Sequence, residues 1–176
     1  MRVALAFGAS VLYGIFVLIA VFWFWVRGRQ DHLPTLAVGE HGILVSLAAG
    51  VAVGLLIAGA IRLLTRYVQA FARLEAQLTE VVGELSESEI IVIAMASAIG
   101  EEMLFRGAMQ DHLGLYVSAL VFGLLHTGPG LWLWTCVAAL LGLLFGAMIH
   151  FEFGLLSVTV AHALINFTSL RRMTAP

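Results

Sequence analysis

The chain has 176 residues, the length of one domain, and 61% of them are Ala, Val, Ile, Leu, Met, Phe, Trp, Tyr or Cys. Charged residues make up 11%, against about 25% in an ordinary soluble domain, so a water-soluble protein of this size has nowhere to bury so much apolar surface. A formal charge of −2 without a basic stripe excludes nucleic-acid binding as a main role, and the single cysteine, Cys136, excludes an intrachain disulfide framework.

This composition indicates an all-α polytopic membrane protein with about six apolar stretches near the ~20 residues that a transmembrane helix needs. Residues 1–64 contain the first two spans. The first covers 3–26 and ends in a Trp-Phe-Trp group that is typical of a membrane interface. The second covers 42–64 and carries small residues at which another helix can approach closely. These residues are Gly50, Gly54, Ala58 and Gly59.

Residues 65–88 differ from the spans, because apolar residues recur there at spacings of three and four while Arg, Gln and Glu fill the other side. The pattern predicts an amphipathic helix lying on the membrane surface. A solvated extension of the second span is the alternative. Ser86, followed three residues later by Glu89, is typical of a capping box and predicts that the next helix begins there.

Residues 89–170 are predicted to form a core of four spans, at about 89–108, 113–127, 131–149 and 154–170. Arginine counts near the span ends predict the topology, since cytoplasmic loops carry the excess of basic residues. With six spans, six arginines share one side with both termini, and two lie opposite, so we expect cytoplasmic termini. The six are Arg2, Arg62, Arg66, Arg73, Arg171 and Arg172, and the two are Arg27 and Arg29.

Ionisable and polar residues within three of the core spans are the candidates for chemistry, because such groups are costly in hydrocarbon and are usually functional. Three motifs have helical spacing: Glu101-Glu102-x-x-x-Arg106, Phe122-x-x-x-His126 and His162-x-x-x-Asn166. Residues four apart lie on one helix face, so Glu102 can pair with Arg106. Glu101 is rotated by about 100° from Glu102 and has no cation on its own helix.

The third and fourth spans form a hairpin, which brings Glu101 and His126 to comparable depth, roughly 15–21 Å from its tip. A carboxylate near a histidine can activate water: Glu101 would take the proton, and His126 would position the water or relay the proton. His162 and Asn166 could stabilise the oxyanion formed by attack on a carbonyl. Alternatively, His126, His162 and Glu101 could bind zinc, although the helical His-Glu-x-x-His motif is absent.

The three motifs, in this order and on successive apolar helices, resemble the CAAX protease and bacteriocin-processing family, which includes the type II CAAX prenyl endopeptidases. The resemblance covers residues 89–168. It implies a glutamate-dependent intramembrane protease that works without a bound metal or other cofactor. Glu101 and His126 would activate water, and His162 and Asn166 would form the oxyanion site. The supporting residues would be Glu102, Arg106 and Phe122, which lies one turn before His126.

The expected function is hydrolysis of a peptide bond in a membrane-anchored or lipid-modified protein or peptide, within the bacterial inner membrane. The family that the chain resembles includes bacterial members of the myxosortase type, which cleave C-terminal membrane anchors. Two alternatives stay open. One is a non-proteolytic immunity or scaffold factor with the same motifs. The other is a small transporter, for which inverted repeats and broken helices would be expected.

Overall fold

The computed structural model describes residues 2–174, and almost all of them are helical, as the sequence predicts. A 3-10 turn, Gln30–His32, precedes α2, and a π-helix, Glu102–Met109, joins α5 to α6. The α-helices are α1 (Arg2–Val26), α2 (Leu33–Val38), α3 (Ile43–Tyr67), α4 (Gln69–Val82), α5 (Glu87–Glu101), α6 (Gln110–Leu113), α7 (Leu115–Leu125), α8 (Trp132–His150) and α9 (Gly154–Met173).

Three helices in the described part of the chain are long and apolar enough to cross a membrane: Leu5–Val26 of α1, α3 and α8. The helix α7 is apolar but has only 11 residues, about 16 Å at 1.5 Å per residue. The other expected spans, α5 with the π-helix and α9, carry the charged and polar motifs, which lower their hydropathy. The count of six spans therefore stays a prediction.

Small residues let α3 pack closely along α9, the helix that carries His162. A Cβ added at Gly50 would lie 2.5 Å from the Ser157 carbonyl oxygen, and one at Gly54 would lie 3.0 Å from the Ala161 Cα. A side chain at Gly50 would collide with the backbone of α9, and one at Gly54 would force α9 to shift slightly. The predicted contact at Gly59 is wrong, because a Cβ there would meet no described atom within 4 Å.

The helix α4 is separate from α3, because Val68 has an extended backbone (φ −116°, ψ 111°) that breaks the helix. Leu74 is buried and Phe71 and Leu78 are half-buried, whereas Arg73 on another face is exposed. This amphipathic character agrees with a helix that covers one end of the bundle.

The amphipathic helix is shorter than the segment 65–88 from which it was predicted, since α3 continues to Tyr67 and a short loop follows Val82. The capping box is present at the start of α5. The Ser86 amide donates to Glu89 Oε2 at 2.8 Å, and the Glu89 amide donates to Ser86 Oγ at 3.4 Å. Two otherwise unpaired amides are thereby satisfied.

A π-helix follows Glu101, inside the span predicted over about 89–108. Apolar periodicity does not distinguish a π-helix from an α-helix at a length of eight residues, so the sequence does not reveal it. The carbonyl oxygen of Phe105, inside the π-helix, accepts a hydrogen bond from Ser118 Oγ of α7 at 2.6 Å. Single π-helical turns are rare and frequently mark functional sites.

A charged cluster, hereafter the Asp111 cluster, joins the end of α1 to α6. Asp111 Oδ2 lies 2.6 Å from Arg27, and Oδ1 lies 2.7 Å from Arg29. Partial burial acts to raise the pKa of Asp111, but hydrogen bonds and charge from Arg29 and Arg27 outweigh it and hold the pKa below its usual value. The cluster ties α1 to the hairpin formed by α6 and α7.

Candidate active site

Four helical elements bring the predicted site residues together inside the bundle. Glu101 ends α5, Glu102 begins the π-helix, His126 directly follows α7, and His162 lies in the middle of α9. The side chains of Glu101, Glu102 and His162 are at most 9% exposed, and that of His126 is 22% exposed. The hairpin argument from the sequence thus brings Glu101 and His126 to the same place.

Glu102 is held through both of its oxygens. Oε1 lies 2.6 Å from His162 Nδ1, and Oε2 lies 3.2 Å from Arg106 Nε. The pair with Arg106 is the one that the sequence predicts. The contact with His162 is not visible in the sequence, because it joins residues that are 60 positions apart.

Phe122 supports the site through its ring. The Arg106 guanidinium lies 4.0 Å from the centroid of this ring, and the His126 ring lies 4.5 Å from it on centroids. Both terminal nitrogens of Arg106 lack a hydrogen-bond partner among residues 2–174, so the aromatic face is their main neighbour. A cation over an aromatic face is attracted by the ring quadrupole.

Glu101 is held less tightly than Glu102. Its Oε2 lies 3.7 Å from His162 Nε2 and 3.9 Å from His126 Nε2, both beyond a direct hydrogen bond. This buried oxygen has no hydrogen-bond partner in the part of the chain that the structure describes. A polar gap of this width suits one bridging water molecule.

The partners of the two histidines assign their tautomers. His126 Nδ1 lies 2.7 Å from the carbonyl oxygen of Phe122, which can only accept, so Nδ1 carries the proton. His162 Nδ1 likewise donates to the Glu102 carboxylate. The Nε2 atoms of both rings therefore face Glu101, and in a neutral ring that atom is an acceptor.

Asn166 lies in the wall of the same cavity as His162 but is partly engaged elsewhere. Its Nδ2 donates to Ser97 Oγ at 2.9 Å, and Ser97 Oγ donates to the Ala94 carbonyl oxygen at 3.2 Å. Asn166 keeps one further N–H for another acceptor. Sequence reasoning missed Ser97, although its position four residues before Glu101 places it on the same face of α5.

An apolar cavity of about 300 Å³ begins at Glu101, His126 and His162. It extends between α8, α9 and α4 towards the C-terminal end of α9. There Arg172 and Glu75 form an ion pair at 2.6 Å, which fastens α4 to α9. The cavity wall also contains three aromatic residues that sequence reasoning missed, Tyr13, Trp134 and Phe145. The Trp134 ring lies 5.6 Å from the ring of His126.

The set of Glu101 Oε2, His126 Nε2 and His162 Nε2 has the chemistry of zinc ligands, and each Nδ1 has the type of partner that orients a metal-binding histidine. Its spacing is wider than zinc requires, because ligand atoms around tetrahedral zinc lie about 3.4 Å apart, against 3.7 and 3.9 Å here. Among the described residues, no group of three or more His, Cys, Asp or Glu is close enough to hold a metal. Chelation of metals from the purified protein tests the zinc hypothesis.

The apolar helices and the cluster of Glu101, His126 and His162 indicate an integral membrane protein with a buried carboxylate–histidine site. Residues 86–168 match the family model described as type II CAAX prenyl endopeptidase Rce1-like. This part, just under half of the chain, is similar to that family of membrane proteases, and over it the resemblance found in the sequence is confirmed. The motif residues from Glu101 to Asn166 lie within the match, whereas α1, α3 and α4 lie outside it.

The chain is also similar to a curated bacterial protein. The "Uncharacterized protein YpbD" of Bacillus subtilis (strain 168) is 32% identical over 88 residues. The match covers 49% of this chain and 47% of that relative, so it spans about half of each protein. No solved structure matches the chain.

Proposed function

We propose that the protein is an intramembrane endopeptidase that cleaves a membrane-anchored protein or peptide with water activated by Glu101 and His126. The observation that carries this proposal is the buried Glu101 Oε2, which faces the Nε2 atoms of two histidines at 3.7 and 3.9 Å without a hydrogen-bond partner of its own within residues 2–174. A general base needs an acceptor atom within reach of the proton it removes, directly or through one water. The similarity of residues 86–168 to a membrane protease family supports this reading.

The tautomer of His126 orients the water. A molecule between Glu101 Oε2 and His126 Nε2 donates one hydrogen to each acceptor, which turns its lone pairs towards the substrate. The water oxygen attacks the peptide carbonyl carbon, and Glu101 takes the released proton. The product of this step is a tetrahedral intermediate with a negatively charged oxygen.

His162 is placed to stabilise that oxygen. A His162 ring that carries a proton on both nitrogens would keep its Nδ1–H with Glu102 and donate its Nε2–H to the oxyanion. Asn166 can contribute its second N–H. When the C–N bond breaks, Glu101 returns the proton to the leaving amine. The products are a new amine and a new carboxylic acid, which ionises by losing its proton to solvent.

The cavity supports a substrate with an apolar segment. Its walls are predominantly apolar, and α4, predicted to lie on the membrane surface, closes one side of it. An extended apolar stretch at the membrane interface fits such a space next to the reacting carboxylate. We therefore propose a C-terminal membrane anchor as substrate, cleaved in the bacterial inner membrane.

Mass spectrometry of membrane-protein C-termini tests this function in cells with and without the gene. We expect shortened C-termini on one or more anchored proteins only when the gene is present. Complementation with the Glu101→Gln variant, expressed at the same level, should leave the anchors intact. Identical C-termini in all three strains would contradict the proposal and would favour the non-proteolytic scaffold.

A further inference from the structure

Tyr13 reaches the candidate active site from outside the family match. It belongs to α1, yet its side chain lines the cavity together with Glu101, His126 and His162. Its phenol is a hydrogen-bond donor in the wall of the same cavity as the Glu101 carboxylate. Since Glu101 Oε2 has no hydrogen-bond partner in the described chain, Oε1 is the oxygen available to accept from Tyr13.

The sequence next to Glu101 makes this approach possible. A Cβ added at Gly100 would lie 2.7 Å from the Tyr13 carbonyl oxygen and 2.8 Å from the Tyr13 Cβ. The backbone of α1 at Tyr13 therefore rests directly on α5, one residue before Glu101. Such close approach of two apolar helices requires a residue without a side chain.

A chain of aromatic contacts fixes the Tyr13 ring. Tyr13 meets Phe16 edge to face at 5.8 Å, and Phe16 meets Phe105 at 6.2 Å. Phe105 in turn meets Phe122 at 5.1 Å. Edge-to-face pairs favour defined ring orientations, so the hydroxyl is held towards the site rather than free to turn away.

We propose that Tyr13 is a positioning residue for Glu101, which it holds through a hydrogen bond to Oε1 so that Oε2 faces His126 and His162. This inference rests on the proposed role of Glu101 as the base. A hydrogen bond from the phenol stabilises the negative charge of a carboxylate in an apolar cavity. The same hydrogen bond fixes the rotation of the carboxylate, because it holds one of the two oxygens in place. The active site therefore includes α1, although the family match begins only at residue 86.

Kinetics of the full-length protein in lipid vesicles test this role, with Tyr13→Phe compared with wild type. The control is Tyr116→Phe, which removes the same hydroxyl from a side chain that is 80% exposed. For Tyr13→Phe we expect kcat to fall by ~10-fold, the scale of a lost hydrogen bond to a charged group, with KM nearly unchanged.

The control should match wild type in kcat and KM. Tyr13→Phe should keep the melting temperature within a few degrees, because phenylalanine retains the ring contacts with Phe16. A Tyr13→Phe enzyme with the wild-type kcat would overturn the inference. A lower kcat together with a raised KM and a lower melting temperature would also overturn it, since a merely structural defect gives that result.

A double-mutant cycle tests the same hydrogen bond without any substrate. The melting temperature is measured for Tyr13→Phe, Glu101→Met and the double variant, where methionine removes both carboxylate oxygens but keeps the length. We expect Tyr13→Phe to change the melting temperature differently in the two backgrounds, since a direct contact makes the effects non-additive. Additive effects would overturn the inference. A wild-type protein that cleaves nothing but shows coupling would contradict the proposed function and leave the contact standing.

Discussion

Two carboxylates in different regions of the molecule have opposite surroundings. Asp111, at the junction of α1 and α6, meets Arg27 and Arg29 at 2.6 and 2.7 Å and has a partly exposed side chain. Glu101, inside the bundle, is 8% exposed, and its Oε2 has no nitrogen closer than 3.7 Å among its ion-pair partners. A buried polar atom without a partner is costly and requires an explanation, which a reactive role provides.

The same contrast separates two neighbours in sequence. Glu102 is fully buried, and its oxygens contact His162 and Arg106. The Oε2 atoms of both glutamates lack a hydrogen-bond partner among the described residues. That of Glu102 lies 3.2 Å from its counter-ion Arg106, whereas the ion-pair partners of Glu101 Oε2 are histidine nitrogens at 3.7 and 3.9 Å. A carboxylate in contact with a buried arginine holds the structure, and one whose oxygen faces two histidines across a gap can do chemistry. The predictions that follow test this division, from the largest expected effect to the smallest.

Replacement of His126 should have the largest effect on cleavage. We expect His126→Gln to lower kcat/KM by ~10²-fold or more, because the water loses the acceptor that orients it. The melting temperature should change little, since the side-chain hydrogen bond of His126 is to Phe122 of the preceding turn. His150→Gln, at an exposed position, serves as the control. Wild-type cleavage by His126→Gln would remove His126 from the proposed mechanism.

Replacement of Glu102 should affect stability first. Glu102→Gln leaves Arg106 buried without its counter-ion, a change that typically costs ~3–5 kcal/mol. It also weakens the contact that orients His162, so activity should fall together with the melting temperature. Thermal unfolding in detergent measures the change, with Glu80→Gln on an exposed position of α4 as the control. A stable but inactive Glu102→Gln protein would assign Glu102 a direct role in catalysis.

Replacement of Asp111 should have a small, pH-dependent effect on stability and none on activity. Asp111→Asn removes ion pairs of a kind worth about 0.2–1 kcal/mol when exposed. Because the folded pKa of Asp111 is lowered, its contribution is complete above the usual aspartate pKa of about 3.9 and is lost as the pH falls through the lower folded value.

Thermal melts of wild type and Asp111→Asn from neutral to acid pH measure this effect. The difference between their melting temperatures should shrink as the pH falls below about 4. A difference that grows in acid would mean that the pKa shift has the opposite sign.

Removal of divalent metals should have no effect on cleavage. Strong chelators should leave kcat/KM unchanged, because Glu101 and His126 suffice to activate water. The measurement compares purified enzyme before and after chelation, followed by addition of zinc. Activity that disappears on chelation and returns with zinc would place a metal between Glu101, His126 and His162.

The parts of the site that follow from the sequence are local. Apolar composition and the length of the apolar stretches predict the all-α membrane fold. The spacing of four residues predicts that Glu102 and Arg106 pair, because residues four apart lie on one face of a helix. The hairpin geometry of two successive helices places Glu101 near His126. Each of these conclusions uses residues that are close in sequence or joined by one short turn.

The parts that do not follow depend on contacts between distant helices. The hydrogen bonds of His162 with Glu102 and of Asn166 with Ser97 join residues 60 and 69 positions apart. The proximity of Tyr13 to Glu101 depends on how closely α1 approaches α5 at Gly100. The π-helix gives no periodic pattern that a short segment could reveal. Packing between helices decides all of these features.

The most direct test of the division between the two glutamates is the turnover of one membrane-anchored peptide by wild type and Glu101→Gln in lipid vesicles, followed by mass spectrometry alongside thermal melting. The amide of glutamine keeps the shape of the side chain but is not a base. We expect cleavage to fall by at least ~10²-fold while the melting temperature stays at the wild-type value. Cleavage by Glu101→Gln at the wild-type rate would contradict the assignment of Glu101 as the residue that activates water.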